Sequence, residues 1–170
     1  HETPVGFNHI ADLMMNRDIL IGGEESGGIS IRGHIPEGDG VLMGLLLLEI
    51  MAYNRAPLHE IVADLQANYG PACYARIDVR LEQQKPKKAV VQMLADSAPS
   101  HLNGESVARV DTLDGIKYFL SDNSWLLIRP SGTEPILRIY AEAHTPDALK
   151  ELLAYGDRMG KQVTANGVHP

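Results

Sequence analysis

The residues best suited to chemistry fall in two short stretches. Arg129-Pro130-Ser131-Gly132-Thr133-Glu134-Pro135 offers a guanidinium, two hydroxyls and a flexible glycine in one loop. Arginine's planar fork matches phosphate oxygens bidentately, and serine and threonine hydroxyls with loop amides add further donors. Arg138, on the run that follows, supplies a second cation at the loop's base. This is an anion site in the making, with a phosphate monoester the natural ligand; the candidates are Arg129, Ser131, Gly132, Thr133 and Arg138. The competing reading is a hairpin loop with an incidental Arg129–Glu134 ion pair, worth little if exposed.

The second stretch is Gly22-Gly23-Glu24-Glu25-Ser26-Gly27-Gly28. A carboxylate accepts hydrogen bonds from vicinal hydroxyls, and a serine hydroxyl donates or accepts. Glu24 and Ser26 are therefore candidates for a hydroxylated ligand, with glycines allowing close backbone approach. A solvated surface turn is the alternative. Nucleotide binding fails on pattern, since G-x-G-x-x-G and the Walker lysine are both missing from the stretch. Gly38-Asp39-Gly40 with Gly44 approaches a dinucleotide fingerprint, but the third glycine comes one place late. A helix-capping turn fits it better.

Elements must position these loops. Phe7, Ile10, Ala11, Leu13 and Met14 have helical spacing, and Ile19–Ile21 reads as a buried strand entering a loop over 22–28. Residues 29–32 form a brief strand; Asp39 caps a helix from Gly40 to about Tyr53, and Leu58, Ile61, Val62, Leu65 and Tyr69 mark another. Beyond these, strands are expected at 74–81, 106–110, 116–120, 125–128 and 136–143, with helices at 85–94 and 146–162. Asp114-Gly115 is a hairpin turn favouring positive φ. The expected organisation is an α/β unit over residues 1–56, a helical linker over 57–71 and an α+β domain over 72–170.

Composition narrows the partners. A formal charge of −7 and pI near 5.4 argue against nucleic acid. The run Val41–Leu48 is far shorter than the about 20 apolar residues of a membrane span, and reads as a helix buried on most faces. Cys73 stands alone, so no internal disulfide forms and a reducing cytoplasmic setting is expected, with Cys73 a small core residue. The seven histidines show no metal-ligand spacing. The chain opens on His1-Glu2-Thr3-Pro4 rather than methionine, as an excised piece would.

Together the two loops resemble those of the α-D-phosphohexomutase family. Gly23–Gly28 resembles its third-domain sugar-binding loop, and Arg129–Pro135 its fourth-domain phosphate-binding loop. Thr3-Pro4-Val5-Gly6-Phe7 and Gly33-His34-Ile35-Pro36-Glu37 also match in order. The resemblance implies a C-terminal fragment: part of an α/β third domain, then a fourth domain similar to the TATA-binding-protein fold. It further implies that Glu24 and Ser26 hold sugar hydroxyls, while Arg129, Ser131, Gly132, Thr133 and Arg138 hold a phosphate. The implied parent interconverts hexose 1-phosphate and hexose 6-phosphate, using magnesium and a hexose 1,6-bisphosphate activator. Its phosphoserine string (Thr-Ala-Ser-His-Asn-Pro-like) and metal string (Asp-Gly-Asp-Gly-Asp-Arg-like) are not in this sequence. The chain alone is therefore expected to need the parent's N-terminal domains for turnover. The alternative is a non-catalytic phosphosugar-binding or regulatory module. Gly38 and Asn8 stand where the family often has basic residues. Glu25-Ser26-Gly27-Gly28 leans away from glucosamine-phosphate members, which tend to carry Gln-Ser-Gly-His.

Overall fold

A computed structural model describes residues 1–83 and 85–165, with side chains of 164 and 165 excepted. The chain divides into two compact units, His1–Tyr69 and Gly70–Pro170. Each is described in its own frame.

The first unit runs α1 (Phe7–Asn16), β1 (Ile21–Gly23), β2 (Ile29–Ile31), α2 (Gly40–Asn54) and α3 (Leu58–Tyr69). The segment read as a linker is thus largely α3, and it groups with this unit. Phe7 and Ile10 are buried, and a methyl group on Gly22 would collide with Ile10, so glycine permits α1 to lie close on β1. β1 and β2 pair antiparallel with Gly23 opposite Ile29. Two expectations are corrected here. Gly22 and Gly23 belong to the strand rather than the loop, and β1 is exposed rather than buried, with Leu20 and Ile21 both open to solvent.

Asp39 caps α2 as expected, its Oδ1 accepting from Val41 and Leu42 amides at 2.9 and 3.0 Å. The Leu42 amide, then His34 Nε2 at 2.9 Å from Oδ2, hold the Asp39 carboxyl below its ordinary 3.8. That contribution is present above 3.8 and is lost as pH falls through the lowered value. α2 itself corrects the sequence reading: none of its residues is buried, and Val41, Leu45, Leu48 and Tyr53 are exposed. A helix apolar all round needs cover on every side. One short hairpin and α3, bent from α2 by 77°, cover only part of it. Among the described residues no single helix is long and apolar enough to cross a membrane.

The second unit runs β3 (Cys73–Arg80), α4 (Lys87–Asp96), β4 (His101–Leu102), β5 (Glu105–Asp111), β6 (Ile116–Leu120), β7 (Trp125–Pro130), β8 (Ile136–Ala143) and α5 (Pro146–Ala165). Its six strands form one sheet in the order β3-β8-β7-β6-β5-β4, antiparallel throughout. β4 is an addition to the strands expected from the sequence; Asn103 (φ 54) and Gly104 (φ 83) turn it into β5 as a two-residue hairpin.

Alternation along the strands divides the sheet's faces. Val79, Ile116, Tyr118, Leu126, Ile128, Leu137, Ile139 and Ala141 point to one side, where Val90 and Leu94 of α4 and Leu152, Met159 and Val163 of α5 close the core. Cys73 lies half-buried at the start of β3. Methyl groups on Gly156 and Gly160 would press on Ile139 and Val79, so two glycines one helical turn apart seat α5 close on the sheet. Fully buried Tyr118 donates its hydroxyl to Leu94 O at 3.0 Å, and burial pushes the phenol's pKa upward. The helices lie on one side of the sheet, as the resemblance implied.

The other face carries aromatics interleaved with cations. Arg109 sits 3.8 Å over Phe119, and Lys117 lies 4.5 Å from Trp125. His144, just past β8, faces two carbonyls, Asp122 O at 2.7 Å and Pro71 O at 3.4 Å. Only the imidazolium can donate to both. The Asp122 carbonyl, then that of Pro71, accordingly raise its pKa above 6.5. This stabilisation is full below 6.5 and is lost as pH rises through the higher folded value. An NMR titration of the His144 ring is expected to give a midpoint above 6.5, and His144→Gln to flatten the stability change across that window.

Candidate phosphate and hydroxyl sites

The loop at 129–135 grows out of the sheet. β7 extends two residues beyond the expected 125–128, so Arg129 and Pro130 are strand residues with fixed directions. Pro130 points to the core with Leu126 and Ile128, and Arg129 emerges on the opposite face. Register sets Arg129 directly across from Arg138, and Arg138 across from Asp78 on β3. Two arginine side chains thus leave the sheet from facing positions on adjacent strands. Among the described residues Arg138 Nε is buried without a hydrogen-bond partner, while Nη2 of the same guanidinium lies 3.5 Å from Glu134.

Ser131 closes the turn. Its side chain is buried, and Oγ accepts from the amides of Thr133 (3.4 Å) and Glu134 (3.3 Å). The Ser131 amide donates to Ile136 O at 3.0 Å, and the Leu81 amide to Pro135 O at 2.8 Å, tying the loop to β8 and β3. A hydroxyl that accepts two amides retains its own proton for an anion. Gly132 and Thr133 form the exposed tip. The five residues singled out from the sequence therefore come together: two cations at the base, a buried hydroxyl above them and an exposed tip.

One neighbour was missed. Arg129 Nε donates to Asp114 Oδ2 at 2.9 Å, and the other oxygen of Asp114 pairs with Lys87 Nζ at the start of α4. The sequence reads Asp114-Gly115 as turn residues only. Gly115 follows the β6–β7 register to a place beside Arg129, because Ile116 opposes Ile128. Its φ is +102, and a Cβ there would lie 2.6 Å from Ile128 O and 2.9 Å from Arg129 Cα. Gly115→Ala is expected to cost about 1–3 kcal/mol through this overlap and the positive φ, seen as a lower denaturation midpoint.

In the first unit Glu24 and Ser26 lie on the β1–β2 hairpin. The Glu24 amide donates to Gly28 O at 2.9 Å and the Gly27 amide to Glu24 O at 3.0 Å; Gly27 (φ +100) helps to close this connection. Glu24 Oε1 accepts from the Gly6 amide at 3.0 Å, which fixes the carboxylate. Ser26 is exposed at the tip. Gly38 packs beside this loop, where a Cβ would meet Phe7 at 3.2 Å and Gly28 Cα at 3.3 Å. A larger residue there would press on both. Among the described residues no three His, Cys, Asp or Glu side chains gather as metal ligands.

The glycine-rich hairpin of the first unit and the Arg129–Pro135 loop on the one-sided sheet of the second follow one another in the order the resemblance implied. The family models "Phosphoglucomutase/phosphomannomutase, alpha/beta/alpha domain III" and "Phosphoglucomutase/phosphomannomutase, C-terminal domain" match residues 1–69 and 77–155, and the chain belongs to that family. A phosphoglucosamine mutase from Methanococcus aeolicus is 36% identical over 94% of this chain. A phosphoglucomutase/phosphomannomutase from Thermococcus kodakarensis is 29% identical over 92%. The solved structure of a Thermus thermophilus protein assigned as a phosphomannomutase superposes with a TM-score of 0.71 at 34% identity, covering 94% of this chain and 30% of that one. The chain spans about a third of the length of these curated relatives (33% and 32%).

Proposed function

We propose that this chain is the substrate-holding part of a phosphohexomutase that interconverts hexose 1-phosphate and hexose 6-phosphate. The observation that carries the reading is the pair of arginines set in register beside the Ser131 loop, with Arg138 Nε buried and without a hydrogen-bond partner among the described residues. The oxygens of a phosphate dianion at the loop would match the donors there. Glu24 and Ser26 bind sugar hydroxyls in this reading, with Glu24 Oε1 already held by Gly6.

The chain's contribution is orientation. It holds the phosphate that is not reacting while the other end of the sugar is handled elsewhere, and positioning of this kind lowers barriers by several kcal/mol. Phosphoryl transfer and any magnesium belong to other parts of the parent, in a cytoplasmic enzyme. Further segments of that parent cover the exposed side of α2, which is too apolar to face water in a finished protein. Relatives bearing the name phosphoglucosamine mutase keep glucosamine phosphate among the candidate substrates beside glucose and mannose phosphates, despite the Glu25-Ser26-Gly27-Gly28 string.

The test is a calorimetric titration of the chain with glucose 6-phosphate, mannose 6-phosphate, glucosamine 6-phosphate and unphosphorylated glucose. Binding of the phosphates well above that of glucose is expected. Equal responses to glucose and glucose 6-phosphate would overturn the reading. A coupled assay is expected to show no mutase turnover by the chain alone.

A further inference from the structure

We infer that Asp114 is a positioning residue for the phosphate-binding arginine, acting through a Lys87–Asp114–Arg129 relay. This rests on the proposed role of Arg129. Asp114 reaches Arg129 at Nε, 2.9 Å away, with both side chains largely shielded at 13% and 15% exposure. An arginine has one N–H at Nε and two at each terminal nitrogen. A carboxylate on Nε fixes the plane of the fork while the terminal nitrogens carry the donors suited to a ligand. Bidentate recognition of phosphate depends on that plane.

The turn is built for the contact. Gly115 lies against the backbone of Ile128 and Arg129 with no room for a side chain, so the Asp114 carboxylate is delivered beside Arg129 by the hairpin itself. A carboxylate at this distance also opposes anion binding, since it cancels the arginine's charge. Lys87, ion-paired to the other carboxylate oxygen, restores the balance: two cations and one anion leave the trio at +1. Geometry is thereby gained without loss of net attraction for a phosphate.

Position and charge separate experimentally in the full chain. Asp114→Asn keeps an acceptor at the same place without the charge; Asp114→Glu keeps the charge and moves the carboxylate by one methylene; Asp114→Ala removes both. The readouts are the Arg129 Nε–Hε NMR signal in the free protein, the affinity for inorganic phosphate, and the thermal midpoint. The unaltered chain and Asp114→Asn are expected to show a resolved, slowly exchanging Nε–Hε signal and affinities within about threefold of one another. Asp114→Ala and Asp114→Glu are expected to lose that signal and bind phosphate about tenfold more weakly, the scale of one charge-assisted contact. Unchanged or tighter phosphate binding by Asp114→Ala and Asp114→Glu would overturn the inference and make Asp114 a bystander or a competitor. If Asp114→Ala does not fold, the Asn and Glu variants still decide between position and charge. Failure of the unaltered chain to bind phosphate, with the Nε–Hε signal intact, would instead remove the phosphate reading and this role with it.

Discussion

Arg129→Ala is expected to weaken inorganic phosphate binding about 10- to 100-fold, the equivalent of about 1.5–3 kcal/mol for hydrogen bonds to a charged group. The loss has two sources. The fork that meets the phosphate is gone, and Asp114 is left facing the loop without its arginine, its ion pair with Lys87 remaining. Arg129→Lys is expected to recover little, because a point charge on a flexible stem cannot reproduce planar donors held through Nε. Arg138→Ala removes the second cation at the base and should also weaken binding. Titration of each variant by chemical shift measures the affinities, and thermal melts separate them from changes in folding. An unchanged affinity in Arg129→Ala would place the phosphate elsewhere.

The second large effect lies in the core. Ile139→Ala is expected to destabilise the second unit by about 2–5 kcal/mol, since it removes buried methyl groups and leaves a cavity. Ile139 is fully buried on β8, one of the sheet's inner strands, and α5 lies close against it at Gly156. No neighbour can easily fill the gap: β8 is fixed on both sides by register with β3 and β7. Against a typical total of about 5–15 kcal/mol this is a large share. Chemical denaturation followed by Trp125 fluorescence reads it. By contrast Leu45→Glu, on the exposed side of α2, is expected to change the chain's stability by no more than about 0.5 kcal/mol. A loss below about 1 kcal/mol in Ile139→Ala would contradict the tight seating of α5.

Much of this was legible in the sequence, for identifiable reasons. The strands of the second unit were legible as short runs between turn and loop residues, with partial alternation at Tyr74–Leu81, where burial alternates along β3. The Arg129–Pro135 loop was legible as chemistry because its donors are consecutive. β4 was not, since two residues cannot show a period, although Asn103-Gly104 carried a hairpin signal. The burial of α2 was misjudged because an apolar run states what a helix needs, not what surrounds it. Strand β1 took in Gly22 and Gly23, residues read as loop; at Gly22 the side chain of Ile10 on α1 fills the space a Cβ would need. Asp114 was the deepest miss. Its partner lies fifteen residues away, and only the β6–β7 register brings the two together.

The central claim is that the Arg129–Glu134 turn with Arg138 is a phosphate site, and a backbone and arginine NMR titration of the chain with inorganic phosphate tests it most directly. Saturable shifts at the amides of Ser131, Gly132, Thr133 and Glu134, and at the guanidinium signals of Arg129 and Arg138, are expected. Shifts confined to other positions, or none at phosphate concentrations that saturate an ordinary anion site, would contradict it.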